Sequence, residues 1–206
     1  MKGKKKLKIT TGISAFITLL SFGYKMGLSV MTMSLVLFIA SISTLMVFIC
    51  KVLFVKNITK DRAKKKKAYL FMSLAVLIYA LIFIAFVVLK INDIDISNDK
   101  SYEGWQGALL IGFMLVMFIL TVIGLKGALE KTDIMVTGLK EMTFVSALAD
   151  LVIIEEFVSR IILEYKEISY MDKINSYFCL GCGCAMILTA FIMLIKFVRY
   201  DANLYK

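Results

Sequence analysis

Long apolar runs separated by short charged connections dominate the chain and predict helices that cross a membrane. A spanning helix needs about 20 apolar residues, because it rises about 1.5 Å per residue through about 30 Å of hydrocarbon. The pattern therefore predicts an all-α fold, a polytopic membrane helix bundle formed by the single domain 1–206. Its six predicted spans cover residues 7–24, 30–55, 68–89, 107–125, 142–163 and 177–198.

Composition strengthens this prediction and excludes several classes of function. The chain is 60% hydrophobic with a mean hydropathy of +0.86, more apolar than a soluble domain. It contains no histidine, which removes the commonest general base and the commonest metal ligand. The net charge is +10, but the lysines lie at the ends of apolar runs, which indicates a membrane topology signal rather than a nucleic-acid surface. We expect no cofactor and no bound metal.

The charged connections predict the orientation of the bundle. The N-terminus and residues 56–67 are strongly basic, whereas residues 91–106 are mostly acidic. Basic connections stay on the cytoplasmic side, so six spans place both termini there, in a cell membrane. The basic N-terminus and first apolar run imitate a signal peptide, but no clear cleavage site follows, so we keep them in the mature chain. Lys25 and Lys90 count among the few basic residues of the outer side.

Two of the six predicted spans, the first and the fifth, have an alternative placement in the membrane interface, and the fifth contains the charged residues of the candidate intramembrane site. The first run, 7–24, holds several Thr, Ser and Gly residues. In the run 142–163 most large apolar residues fall along one helical side, which also fits an amphipathic helix lying in the interface. The alternative is therefore five spans plus an interfacial helix at 142–163.

The same run carries the costliest charges of the sequence, Asp150, Glu155, Glu156 and Arg160. A charge at mid-bilayer costs roughly 2.5–3.5 kcal/mol on the insertion scale, so such groups pair with one another or face water. Glu156 and Arg160 are four residues apart in the favourable order and are expected to pair. Glu155 and Asp150 then need other partners, or line a site for a cation or proton.

The stretch "EEFVSR", from Glu155 to Arg160, resembles the Glu-Glu-x-x-x-Arg element of the CAAX-protease and bacteriocin-processing membrane family. Some members of that family are linked to bacteriocin self-immunity. The residues that usually flank the arginine are replaced by Ser159 and Ile161, and the histidines of the family's later motifs are missing. The resemblance therefore implies a non-catalytic relative.

Two further clusters are candidate sites. Cys179, Cys182 and Cys184 form a candidate thiol cluster for a soft metal, although a closed zinc site needs four ligands. The alternative is a packing face that includes Gly181 and Gly183. The run Lys64, Lys65, Lys66 and Lys67 could contact lipid headgroups, or it could simply anchor the topology.

These features leave three classes of function. The first is a permease, a channel or a transporter subunit with a charged site on the fifth helix, acting on a small solute or ion. The second is an immunity or accessory protein that binds another membrane protein. The third is a degenerate CAAX-protease-like protein. We favour a non-enzymatic membrane protein with a transport role, since carboxylates without histidine, metal or a motif do not make a mechanism.

Overall fold

Five long helices make up almost all of the part of the chain that the structure describes. The computed structural model describes residues 2–92, 111–112, 114–116, 119, 133–165 and 171–202. The few described residues between 111 and 119 are also helical, and no strand occurs in any of these ranges. This confirms the all-helical class. The helices are α1 (Lys2–Thr32), α2 (Leu35–Asn57), α3 (Arg62–Ile91), α4 (Ile134–Tyr165) and α5 (Met171–Ala202).

Four helices are long and apolar enough to cross a membrane. These stretches are Leu7–Thr32, Leu35–Asn57, Arg62–Ile91 and Ile174–Tyr200. Helix α4, which contains the predicted span 142–163, is not among them, and its charged residues are the physical reason. The predicted span 107–125 and the acidic connection 91–106 lie largely outside the described residues.

A two-residue turn joins α1 to α2 and corrects the predicted boundary between them. Met33 has a φ of 52°, in the left-handed region, and the Ser34 side chain caps α2 by accepting a hydrogen bond from Leu37 N–H. Helix α1 therefore continues to Thr32, well past the predicted end at residue 24. As a result Lys25 is part of the helix and is buried, rather than exposed in an outer connection.

Helix α4 lies in the interior of the bundle, packed against α2, α3 and α5. Small residues such as Ala147 and Ala149 allow these helices to approach it closely. Among the α4 side chains that the structure describes, Val158 alone is exposed. An interfacial helix needs one wet face, so the enclosed surroundings of α4 differ from those that the five-span alternative expects.

Contacts between side chains give the directions of the helices. Along α3 and α4 the contacting residues increase together, from Lys65 with Asp133 to Lys90 with Glu156, so the two helices are parallel. Helix α5 runs antiparallel to α3, since the Arg62 guanidinium donates to the carbonyl of Tyr200. The basic start of α3 and the end of α5 therefore share one end of the bundle.

One predicted packing glycine is confirmed, and its neighbour is not. A Cβ atom on Gly183 would lie 2.7 Å from Ile84 Cγ1, so α5 approaches α3 at a distance that excludes larger residues. Gly181 has no such neighbour within 4 Å. The close contact between α3 and α5 thus depends on one glycine rather than on a longer small-residue face.

Candidate functional site

Three buried carboxylates on α4 each meet a lysine from a different helix. Lys196 of α5 pairs with Glu141, Lys25 of α1 with Asp150, and Lys90 of α3 with Glu156. The three acids are distributed along α4 from the basic end of the bundle to the opposite end. Because a buried charge without a counter-charge is costly, these pairs hold the neighbouring helices in register with α4.

The middle pair is the most deeply buried. Lys25 Nζ lies 2.5 Å from Asp150 Oδ1 and donates a second hydrogen bond to Thr44 Oγ1 at 3.0 Å. The exposed fractions of the two charged side chains are 2% and 10%. At about 1.5 Å per residue, Thr44 stands about 14 Å from one end of α2 and about 20 Å from the other. The ion pair therefore lies in the middle part of the bundle.

A small cavity with charged and hydroxyl side chains in its wall lies beside this pair, between α1, α2 and α4. It encloses about 40 Å³ and reaches the surface of the bundle near Ile17. Its charged groups are Lys25, Lys51 and Asp150. Its hydroxyl groups come from Thr18, Ser21, Thr44, Thr143 and Ser146. A site of this size and polarity has room for water or a single small ion.

Lys51 is the second cation of the cavity, and sequence analysis did not single it out. Its ammonium group donates to the Ser14 hydroxyl at 2.8 Å, to Thr18 Oγ1 at 2.5 Å and to the Ser14 carbonyl at 3.3 Å. No carboxylate pairs with it within the described ranges of the chain. The cavity thus contains two lysines and one aspartate.

The hydroxyl groups of Ser43 and Ser146 continue the polar part of the cavity wall toward α3. Ser43 and Ser146 lie 3.1 Å apart, between α2 and α4. The Tyr79 side chain of α3 is completely buried, and Ser43 lies close to its hydroxyl group. The phenol ring contributes to the core, where it packs against Phe83 at a centroid distance of 6.3 Å.

The predicted charged site on α4 divides between two places. Asp150 lines the cavity, whereas Glu155 and Glu156 lie farther along the helix and do not. Glu156 pairs with Lys90 at 3.2 Å, and the side chain of its predicted partner Arg160 lies outside the described residues. A lysine from α3 therefore supplies Glu156 with a counter-charge from another helix.

Glu155 takes part in a second polar cluster near that end of α4. Ser159 Oγ lies 2.9 Å from Glu155 Oε1 and 2.8 Å from Asn175 Oδ1. Ser159 and Asn175 are buried, and they connect α4 to the first part of α5. Glu155 is therefore held in a hydrogen-bonded contact between helices rather than in the central cavity.

The Tyr69–Glu141–Lys196 group lies toward the basic end of the bundle. Tyr69 donates its hydroxyl hydrogen to Glu141 Oε2 at 3.1 Å, and Lys196 pairs with the other carboxylate oxygen. A Cβ on Gly138 would come within 2.6 Å of the Tyr69 ring, so this glycine makes room for the tyrosine. The group joins three helices through one carboxylate.

The three cysteines predicted as a candidate thiol cluster do not converge. Cys179 and Cys182 are buried, whereas Cys184 is exposed. Residues two apart on a helix point to different sides, which explains the separation of Cys182 from Cys184. Among the described residues, no group of three or more Cys, Asp or Glu side chains is arranged to hold a metal ion.

The lysine run 64–67 belongs to the first turns of α3 rather than to a loop. Lys65 pairs with Asp133 at 2.7 Å, and Lys66 Nζ lies 4.5 Å from the centre of the Phe197 ring. Lys64 and Lys67 are exposed. Two of the four lysines therefore contact the protein, and two are available to other partners at the basic end.

No known family model, no curated protein and no solved structure matches the chain. The similarity of Glu155–Arg160 to the CAAX-protease family consequently rests on those six residues.

Proposed function

We propose that the chain is a multi-pass protein of the cell membrane with six spans and both termini on the cytoplasmic side. The parallel arrangement of α3 and α4 supports this topology. If both helices cross the membrane, the chain between Asn92 and Asp133 must return once, which is the role predicted for residues 107–125. The clustering of basic residues at one end of the bundle agrees with the positive-inside rule.

Within this topology we propose a non-enzymatic, permease-like or channel-like function centred on the cavity between α1, α2 and α4. The observation that carries the proposal is a cavity in the middle part of the bundle with the charged side chains Lys25, Lys51 and Asp150 in its wall. Burying charges in such surroundings is costly, and charged groups that line an interior cavity are typical of solute and ion pathways.

Flux through reconstituted vesicles tests this function. Ser21 is a half-buried residue of the cavity wall, and Leu20, its neighbour on α1, is 59% exposed on the outer face. Ser21→Trp should fill the cavity and abolish the flux of small ions that the parent protein supports. Leu20→Trp should leave the flux unchanged, because it adds the same bulk on the outer face.

A second candidate function is that of an accessory or immunity protein that binds another membrane protein. The pairing of all three buried acids with lysines favours it, because such pairs need no substrate to be neutralised. This alternative predicts no flux from the parent protein. It also predicts that Ser21→Trp and Leu20→Trp behave alike, so the same experiment separates the two functions.

A further inference from the structure

We infer that the cavity is a binding site for a small monovalent anion, with Lys51 as its main cationic ligand. The inference deepens the proposed function, on which its biological meaning rests, by naming the class of solute.

The balance of charge in the cavity favours an anion. The two lysines and the aspartate give the cavity wall a net charge of one positive unit when all three are ionised. The Asp150 carboxylate is already paired with Lys25, so it is not available to a cation. Lys51, by contrast, has only the neutral oxygen atoms of Ser14 and Thr18 as hydrogen-bond partners in the described part of the chain. An anion would supply the counter-charge that this buried cation lacks.

The remaining groups of the cavity are suited to the same ligand. Ser21 provides a hydroxyl group that makes no hydrogen bond with the described residues, and a hydroxyl group can donate to an anion. The space of about 40 Å³ admits an ion comparable in size to chloride, nitrate or formate and excludes sugars and nucleotides. Charge and size together point to a small inorganic or carboxylate monoanion.

Binding can be measured without transport, by thermal unfolding of the full chain in detergent micelles. Chloride or nitrate is titrated against gluconate at constant ionic strength. The parent protein should show a saturable rise in unfolding temperature with either small anion. Lys51→Met should weaken the apparent affinity at least about tenfold, because it removes the positive charge that attracts the anion. Lys51→Arg should retain the response.

Lys60→Met is the matched control, since Lys60 is an exposed lysine outside the cavity and should leave the response unchanged. If Lys51→Met fails to fold, Ser21→Trp provides a second variant, which should remove the saturable response by occupying the site. Absence of a saturable rise in the parent protein would overturn the inference, as would equal responses of Lys51→Met and Lys60→Met.

The two proposals fail in distinguishable ways. Anion binding without flux would refute the transport function and leave the anion site standing. Flux that shows no preference for anions, in a protein without anion-dependent stabilisation, would refute the anion site and leave transport standing.

Discussion

Separating Lys25 from Asp150 should destabilise the bundle far more than replacing both residues. Asp150→Leu leaves the Lys25 ammonium buried, with Thr44 as its nearest hydrogen-bond partner. Removing one member of a buried ion pair typically costs about 3–5 kcal/mol, and the 2% exposure of Lys25 places this pair in that class. Lys25→Met should lower the free energy of unfolding by a similar amount, because it leaves the Asp150 carboxylate buried without its counter-charge.

The double variant Lys25→Met with Asp150→Leu should recover most of this loss, because apolar replacements of a buried pair are often neutral. The resulting coupling energy should be several kcal/mol, within the range of about 1.5–7 kcal/mol measured for close charge pairs in a protein interface. The free energy of unfolding can be measured by denaturant titration in mixed micelles, with helical circular dichroism as the signal.

The partly exposed pair Lys65–Asp133 serves as the control. Its side chains are 13% and 28% exposed, so removal of either partner should cost less than the same change at the buried pair. Additive losses at Lys25 and Asp150, or losses no larger than those at Lys65, would refute the reasoning that the central pair is a tightly coupled buried unit.

Two further predictions concern the packing of α3. Gly183→Ala should destabilise the protein by about 1–3 kcal/mol, because the added methyl group collides with Ile84. Gly181→Ala should be neutral or slightly stabilising, because no atom lies near the added methyl group. Thermal unfolding of this matched pair of variants measures both effects. Tyr69→Phe should cost about 1–2 kcal/mol, because Glu141 loses a buried donor but keeps its lysine, and a loss below about 0.3 kcal/mol in the same assay would contradict the hydrogen bond.

The helical class followed from the sequence because long apolar runs leave few alternatives to helices. The boundary between α1 and α2 did not, because the turn at Met33 contains no glycine or proline to mark it. That error placed Lys25 in a connection. A more reliable signal was present, since a lysine within an apolar stretch is itself unusual, and the same signal applied to Lys51.

The partners of the buried acids could not be predicted from spacing. Glu156 and Lys90 are 66 residues apart in the chain, so the pair depends on the parallel packing of α3 and α4. The local rule pointed to Arg160, four residues away, whose side chain lies outside the described residues, and it gave no sign of a partner on another helix. The sequence indicated that Asp150 needs a partner. It did not indicate the cavity, because the cavity forms only where α1, α2 and α4 pack together.

The most direct test of the central claim is the water accessibility of the cavity within a membrane. In a chain whose four native cysteines are replaced by alanine, Ser21→Cys and Leu20→Cys are compared in sealed vesicles with the silver ion, a thiol-reactive ion small enough to enter the cavity. We expect rapid modification at position 21, where the side chain faces the cavity, and none at position 20, where it faces lipid. Equal reactivity at the two positions, or no reaction at position 21, would contradict it.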